Sequence, residues 1–253
     1  MGLTLVGTGL WDELDISFRG LVELEHSDIV YAEEYTNEKR EGTLKRLEAM
    51  CGKSITVLSR EEVEDGKRIL SEAESSNVAL VVSGDPMIST THISLKVDAH
   101  KRKIPFKVIH SSSILSAAIS ESGLHTYKFG RPVTLPFWSE NYKPTSTYDM
   151  LQENMKLGMH TLLFLDLKEG RGMRATEAFD LLAKMEKEKG KKLVSGKLGI
   201  VVLSRIGSPE QKVSYGTLDS LRKAKLGEPP LIMIIPAKLH FTEEEVLGIC
   251  QVK

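Results

Sequence analysis

The sequence of 253 residues has only two cysteines, Cys51 and Cys250, which stand far apart and lack a CxxC partner. A disulfide framework and a zinc site therefore have little support. No window approaches ~20 consecutive apolar residues, so no membrane-spanning helix is predicted. The run Met1–Val6 is apolar but short, and it lacks the basic start of a signal peptide. We therefore expect a soluble, cytoplasmic, reduced protein without a bound metal.

An excess of either charge is also missing. The chain has 34 Lys and Arg against 35 Asp and Glu, for a formal net charge of −1. General nucleic-acid binders and membrane-surface binders usually carry a basic excess, so both classes are disfavoured. The chain is long enough for one large or two small domains and can bury a core without covalent staples.

Several catalytic signatures are absent. The sequence contains no P-loop, no HExxH and no GxSxG. Gly7-Thr8-Gly9 begins like a dinucleotide fingerprint, but the third glycine of G-x-G-x-x-G would fall on Asp12. The seven histidines show no metal-ligand spacing. A nicotinamide-dependent oxidoreductase is thus disfavoured.

Short apolar runs alternate with helical patterns in the first half of the chain. Val78–Val82 is a near-continuous apolar run, which is typical of a strand covered on both faces. The alternation predicts a mostly parallel sheet with helices on both faces. The other predicted strands are Leu3–Val6, Asp28–Ala32, Ser54–Leu58 and Phe106–Ile109. The predicted helical segments are Leu14–Leu24, Gly42–Met50, Arg60–Glu74, Thr91–His100 and Ser113–Ser120.

The pattern breaks between Tyr127 and Pro144, which include three prolines and little periodicity. We place the domain connection near residues 124–140 and predict two α/β domains, 1–130 and 131–253, with mostly parallel or mixed sheets. A second alternating block then follows, in which Lys212–Gly216 is a candidate antiparallel strand. The other strands predicted there are Thr161–Leu165, Lys197–Leu203 and Leu231–Ile235, and the helices are Ser146–Lys156, Arg174–Lys189 and Thr217–Ala224.

Four predicted strands run into polar or glycine-containing turns, where open α/β sheets bind ligands. These turns are Gly7-Thr8-Gly9-Leu10, Ser83-Gly84-Asp85-Pro86, His110-Ser111-Ser112-Ser113 and Leu165-Asp166-Leu167-Lys168. Each also has a plain structural interpretation, such as a tight turn for the first and helix capping for the serines. Gly84-Asp85-Pro86 is more specific, because glycine permits an unusual backbone angle and proline fixes φ. An aspartate is thereby left at the mouth of the sheet.

Weaker candidates lie elsewhere. His92 follows Thr90-Thr91, and a lone histidine of this kind is more often structural than catalytic. Asp166 and Glu169 lie near the loop Gly170-Arg171-Gly172, where they could bind a substrate cation or simply be solvated.

Taken together, the four turns resemble those of the tetrapyrrole methylase superfamily, the class III methyltransferases. Further stretches narrow the resemblance to the diphthine synthase family, in its archaeal form by length. Those stretches are Gly7–Glu13, Ala32–Thr36, Gly84–Pro86, Thr90–His92, Gly123–Gly130, Pro144–Ser146, His160–Asp166 and Pro236–His240. They cover essentially the whole chain, and their order and spacing are more specific than any one of them.

The resemblance implies two α/β domains with S-adenosyl-L-methionine in the cleft between them, usually in a homodimer. It implies methylation of the amino group of a 3-amino-3-carboxypropyl chain carried by a histidine of translation elongation factor 2. Three methyl groups give diphthine, a step towards diphthamide. By position, the family's cofactor contacts fall on Leu10, Asp85, Ile88, Ser113, Ile114, Leu165, Ile206 and Leu231. Family side chains vary at Ile206 and Leu231, so main-chain contacts are expected there.

The implied chemistry is an in-line displacement in which the cofactor supplies the reactive group and the protein supplies position and electrostatics. The nucleophile must be a neutral amine. The sequence shows no obvious general base, so no catalytic residue is assigned. We hypothesise that Asp85 orients the cofactor rather than acting as a base. We also hypothesise that the loop carrying Arg171 and Arg174 helps to receive the protein substrate.

Two alternatives remain open at this point. A corrinoid or porphyrin-precursor C-methyltransferase of the same superfamily would share the fold and cofactor. It needs a wide cleft for a macrocycle with many carboxylates, and a net charge of −1 argues against it. A non-enzymatic ligand-binding module would keep the cleft and lose the chemistry, which the intact residues of all four turns make less favoured.

Overall fold

The structure, a computed structural model, describes residues 1–35, 40–168 and 170–252. Contacts divide the chain into two units, Met1–Ile114 and Leu115–Lys253. The domain boundary predicted at residue 130 stays a prediction, because contacts within the folded chain do not show which segments would fold independently. Thr36 and Glu169, which the sequence analysis singled out, lie outside the described residues.

Apolar runs of the first unit form a five-stranded sheet that is parallel throughout. Its strands, in the spatial order β3-β2-β4-β1-β5, are β1 (Gly2–Gly7), β2 (Ile29–Glu33), β3 (Ile55–Leu58), β4 (Asn77–Val82) and β5 (Phe106–Ile109). The helices of this unit are α1 (Phe18–Glu25), α2 (Thr43–Cys51), α3 (Arg60–Asp65), α4 (Lys67–Ala73) and α5 (Ile93–Lys101). The next helix, α6 (Ile114–Ser122), begins at the last residue of the first unit. The prediction of a parallel sheet is confirmed.

Alternation along the strands divides the core of this unit into two layers. Leu80 and Tyr31 face the layer that contains side chains of α3, α4 and α5. Val81 and Val30 face the layer that contains side chains of α1 and α2. Helices therefore cover both faces of the sheet, which explains why the central strand β4 is apolar at every buried position.

The single helix predicted over Arg60–Glu74 is wrong. α3 ends and α4 begins at Gly66, whose φ is +64°. The Gly66 N–H donates to the Glu62 carbonyl, as in a left-handed helix end. A Cβ at Gly66 would lie 2.5 Å from Leu95 Cδ2, so close packing adds a second reason for glycine. The apolar periodicity continues across the break and hid it.

The second unit contains a mixed five-stranded sheet in the order β11-β10-β12-β7-β6. Its strands are β6 (Val133–Leu135), β7 (Thr161–Leu165), β10 (Gly199–Ser204), β11 (Lys212–Thr217) and β12 (Leu231–Ile235). Only β6 and β7 pair in parallel; the other neighbours are antiparallel. The antiparallel strand expected over Lys212–Gly216 is confirmed.

The helices that follow in this unit are α7 (Ser146–Lys156), α8 (Ala175–Lys189), α9 (Leu218–Leu221) and α10 (Phe241–Ile249). A short hairpin of β8 (Leu167–Lys168) and β9 (Arg171–Gly172) follows β7. β6, the hairpin and α10 were not predicted from the sequence. β6 is three residues long between two prolines, too short for a periodic signal. α9 is shorter than the helix predicted over Thr217–Ala224. None of the helices in the described part of the chain is long and apolar enough to cross a membrane.

Candidate cofactor site

The turns that follow β1 and β4 are joined to each other. The Gly84 N–H donates to the Gly9 carbonyl at 2.8 Å, and the Gly9 N–H donates to the Gly84 carbonyl at 3.4 Å. Both glycines have positive φ, +65° at Gly84 and +73° at Gly9, which few other residues tolerate. Two of the four predicted turns are thus hydrogen-bonded to each other at the carboxyl edge of the sheet.

Gly7 is the point at which three of the turns meet. A Cβ there would lie 2.6 Å from the Gly84 carbonyl oxygen and 2.9 Å from both Pro86 Cδ and Ser111 Cβ. No side chain fits without moving a backbone. By contrast, a Cβ on Gly84 would have only the Ser112 carbonyl oxygen within 4 Å, at 3.9 Å. The backbone at Gly84 therefore faces open space, where a ligand can approach it.

Asp85 is held by its own turn and by the turn after β5. Its Oδ1 accepts from the Met87 N–H at 3.0 Å, and its Oδ2 lies 2.8 Å from His110 Nδ1. The Asp85 side chain is 9% exposed, whereas that of His110 is 70% exposed. A carboxylate with both oxygens engaged is suited to a fixed orientation. The contact between His110 and Asp85 was not predicted from the sequence, because the two residues are 25 positions apart and meet only when β4 and β5 flank β1.

Asp15 organises the turn after β1 and was missed by the sequence analysis. Its Oδ2 accepts from the N–H groups of Leu10 and Trp11, at 3.1 and 2.7 Å. Its carbonyl oxygen accepts from Ser111 Oγ at 3.3 Å. An aspartate shortly after a Gly-x-Gly turn is the signal that could have indicated this role, since aspartate commonly accepts from nearby backbone N–H groups.

Five of the predicted cofactor residues belong to this edge of the first unit. Leu10 and Asp85 lie on the joined turns, and Ile88, 40% exposed, lies just beyond Asp85. Ser113 and Ile114 stand at the start of α6, both half-buried. The structure therefore brings these five together at the carboxyl ends of β1, β4 and β5.

The other three predicted residues gather at one edge of the sheet in the second unit. Leu165 ends β7 and Leu231 begins β12, and the antiparallel register Ile232–Phe164 places them opposite each other. Ser204, at the end of β10, pairs with Leu231, and Ile206 follows two residues later. Ile206 is 6% exposed and Leu165 9%.

Asp166 holds its own loop together. Its Oδ2 accepts from the Phe137 N–H at 2.9 Å, and its carbonyl accepts from the Met173 N–H at 3.1 Å. Arg171 makes two hydrogen bonds to Glu177, at 2.7 and 2.9 Å, and lies over the Phe137 ring. These bonds from Arg171 lower the pKa of Glu177. Asp166 and Arg171, two candidate residues of this loop, therefore both have hydrogen-bond partners within the protein.

The sequence model of the family described as Tetrapyrrole (Corrin/Porphyrin) Methylases matches residues 2–222. The matched residues include every strand of the two five-stranded sheets except β12, and every predicted cofactor residue except Leu231. The fold and the turns at the sheet edges therefore define a methylase of the tetrapyrrole methylase class.

Individual relatives narrow the class. The chain is 42% identical over 247 residues to the diphthine synthase of Methanothermobacter thermautotrophicus, which covers 97% of this chain and 94% of that protein. It is 38% identical over 251 residues to the diphthine synthase of Methanosarcina barkeri, with the same coverage. A crystal structure of a diphthine synthase matches with a TM-score of 0.89 at 34% identity, over 98% of this chain and 95% of that one.

The chain belongs to the diphthine synthase branch of the tetrapyrrole methylase family, and the resemblance inferred from its turns is confirmed. It is a methyltransferase. A tetrapyrrole C-methyltransferase and a non-enzymatic binding module are not favoured, because the relatives that match nearly the whole chain are diphthine synthases.

Proposed function

We propose that this methyltransferase acts on translation elongation factor 2. The acceptor is the amino group of the 3-amino-3-carboxypropyl chain on a modified histidine, and three successive transfers give diphthine. The observation that carries the proposal is 42% identity to a diphthine synthase over 97% of the chain. We place the reaction in the cytoplasm, with the translation factor, and propose a homodimer as the working form.

S-Adenosyl-L-methionine is the proposed methyl donor, and when bound it supplies an electrophilic methyl group. We propose that eight residues contact it, namely Leu10, Asp85, Ile88, Ser113, Ile114, Leu165, Ile206 and Leu231. The groups present fit it chemically. The open backbone at Gly84 and the largely buried Asp85 carboxylate suit hydroxyl and amino groups, and the apolar residues suit an adenine ring.

The protein's own contribution is then position and environment. Asp85, fixed through Met87 and His110, orients the donor. Holding the amine and the methyl carbon in line accounts for ~7–11 kcal/mol of a barrier. Apolar residues such as Ile88 and Ile114 exclude water, and a low dielectric lowers the pKa of an amine so that more of it is neutral. This account needs no covalent intermediate.

We also propose that the loop carrying Arg171 and Arg174 helps to receive elongation factor 2. Its positive charge supports this, although Arg171 is already bonded to Glu177. Charge reversal at Arg174, whose N–H rather than its side chain bonds Glu177, should raise KM for the protein substrate and leave cofactor affinity unchanged. Methylation kinetics that stay as in the wild type would refute this role.

The decisive comparison is between acceptors. Methyl-labelled S-adenosyl-L-methionine is incubated with the enzyme and either elongation factor 2 bearing the 3-amino-3-carboxypropyl histidine or a porphyrin precursor. We expect label only on elongation factor 2. Label on the macrocycle would assign a C-methyltransferase instead, and tight cofactor binding without transfer to either would indicate a binding module.

A further inference from the structure

Four buried side-chain polar atoms in the first unit have no hydrogen-bond partner among the described residues. One is Glu13 Oε2, in a carboxylate whose other oxygen accepts from Arg46. The other three are the hydroxyl oxygens of Tyr35 and Ser83 and the Nε2 atom of His92. Proteins pair nearly all buried polar atoms, because an unpaired one loses its bonds to water without replacement. Unpaired atoms in a folded protein therefore point to a missing partner, such as a ligand.

The three residues lie at the carboxyl edge of two neighbouring strands. Tyr35 follows β2 and Ser83 follows β4, and Ala32 stands opposite Val81 in the register of these strands. Tyr35 packs against the core layer under α3 to α5, and His92 directly precedes α5. His92 is 1% exposed, and its Nδ1 lies 3.2 Å from the Pro86 carbonyl oxygen.

A carboxylate completes this group. Glu33, 1% exposed, ends β2 and accepts from the Ser83 N–H at 3.4 Å. Burial, together with the negative charge of Glu33, raises the pKa of Tyr35 to about 12. The Tyr35 hydroxyl is therefore protonated at neutral pH and can donate a hydrogen bond. We call Glu33, Tyr35, Ser83 and His92 the acceptor edge.

Two hydroxyls, an imidazole nitrogen and one carboxylate complement an α-amino-acid head. The two hydroxyls donate to its carboxylate. Glu33 and Nε2 of His92, whose Nδ1 donates to the Pro86 carbonyl, accept from the N–H groups of its neutral amine. We propose that the acceptor edge binds the amino and carboxylate groups of the 3-amino-3-carboxypropyl chain. This inference rests on the proposed function, and it assigns Tyr35, Ser83, His92 and Glu33 to positioning the acceptor.

The methionyl tail of the cofactor has the same α-amino-acid chemistry, but the sheet order favours the acceptor. In the first unit, the proposed cofactor residues follow β1, β4 and β5. The acceptor edge follows β2 and β4, and β2 is on the opposite side of β4 from β1. The turn Ser83-Gly84-Asp85-Pro86 belongs to both groups, so it places the acceptor next to the donor.

Access to the edge requires one turn to move. The three unpaired atoms have less than 1 Å² of accessible surface each. Between Pro86 and His92, Ser89 has a φ of +55°, a strained value for a residue with a side chain. Ile88 and Ser89 are exposed, so a shift of this turn would not disrupt the core. Because Ile88 is also a proposed cofactor contact, cofactor binding acts on the same turn.

The test compares two tyrosines on the same face of the sheet. Tyr35→Phe removes an unpaired hydroxyl, whereas the control Tyr31→Phe removes a hydroxyl that donates to Glu72. Three quantities are measured for each, namely kcat/KM for modified elongation factor 2, the Kd of S-adenosyl-L-homocysteine by calorimetry, and Tm. Tyr35→Phe should lower kcat/KM by about tenfold or more, because a hydrogen bond to a charged group is lost. Its affinity for S-adenosyl-L-homocysteine and its Tm should not fall.

Tyr31→Phe should show the opposite pattern, with a lower Tm and an unchanged kcat/KM. Ser83→Ala should behave like Tyr35→Phe. If Tyr35→Phe and Ser83→Ala both keep the wild-type kcat/KM for modified elongation factor 2, the proposed role of the acceptor edge is wrong, while the proposed function stands. A loss of S-adenosyl-L-homocysteine affinity with KM for the acceptor unchanged would assign the edge to the cofactor's tail. If the wild type methylates no elongation factor 2, the proposed function itself fails.

Discussion

Asp15 and Asp85 each use a carboxylate to order a turn at the edge of the first sheet. Asp15 accepts from two consecutive backbone N–H groups, and Asp85 joins its own turn to His110. Gly7 and Gly84 allow the turns to approach one another, but the aspartates fix where the backbone N–H groups point. At the scale of the residue, the site is therefore built by backbone conformation and by carboxylates that hold it.

Asp85→Asn tests the orienting role. The amide keeps one oxygen acceptor and loses the charge, so the Kd of S-adenosyl-L-homocysteine should rise about tenfold, as expected for one charge-assisted hydrogen bond. Calorimetry measures it. Asp98→Asn is a matched control, because its carboxylate accepts from Lys101 on the surface of α5, away from the proposed cofactor turns. Unchanged affinity together with lost turnover would show that Asp85 is a base and that its proposed role is wrong.

Helix ends provide the clearest test at the scale of the element. Gly52 and Gly66 both end helices with nearly equal φ, +66° and +64°. A Cβ on Gly52 would meet nothing within 4 Å, whereas one on Gly66 would meet buried Leu95. The pair separates the cost of a left-handed backbone from the cost of crowding.

Gly52→Ala should lower the free energy of unfolding by about 1 kcal/mol, the cost of a left-handed residue. Gly66→Ala should lower it by about 1–3 kcal/mol more, because Leu95 cannot move without disturbing the core. Urea unfolding of both variants measures the difference. Equal losses would mean that Leu95 yields freely and that backbone conformation alone ends α3.

The start of α10 is tied to the rest of the second unit by a buried carboxylate. Glu243, fully buried, accepts from Lys128 Nζ, from His160 Nε2 at 3.1 Å and from the N–H groups of His125 and His240. Burial alone would raise the pKa of Glu243, but these donors lower it to about 2. Burial lowers the pKa of His160, which favours its neutral form.

The signs of these shifts predict acid sensitivity. His160 is less easily protonated in the folded state, so stability falls as the pH drops below 6.5, its ordinary value. Glu243 contributes stability above its ordinary pKa of 4.5, and this contribution is lost as the pH falls towards about 2. Urea unfolding between pH 7 and pH 3 should show both losses.

Glu243→Gln should abolish the loss of stability that occurs as the pH falls from 4.5 towards about 2. It should also lower the free energy of unfolding by about 3 kcal/mol at pH 7, because Lys128 is left without its buried partner. Asp180→Asn, at an exposed pair with Arg222, is the control and should change little. If Glu243→Gln unfolds with the same pH dependence as the wild type, Glu243 is not the titrating group.

The elements that sequence predicts well share a strong local signal. Val78–Val82 and Thr161–Leu165 are apolar runs with clear boundaries, and both are strands. The break at Gly66 was hidden because the periodic pattern continues through it. The capping of α10 by His240 and Glu243 and the His110–Asp85 contact depend on residues brought together by the tertiary fold, which no local pattern records.

At the scale of the whole molecule, the stretches that carried the family resemblance have different roles. Gly123–Gly130, His160–Asp166 and Pro236–His240 meet at Glu243 and stabilise the second unit. Gly7–Glu13 and Gly84–Pro86 form the proposed cofactor turns. Resemblance alone does not separate stabilising residues from ligand-binding ones, because both kinds occur in the same family motifs.

Mass spectrometry of elongation factor 2 tests the central claim most directly. The protein bearing the 3-amino-3-carboxypropyl histidine is incubated with this enzyme and S-adenosyl-L-methionine, and the peptide containing that histidine is analysed. The account predicts a gain of three methyl groups on the modified side chain, and none when the histidine is unmodified. An unchanged peptide mass, with the enzyme folded and able to bind the cofactor, would contradict it.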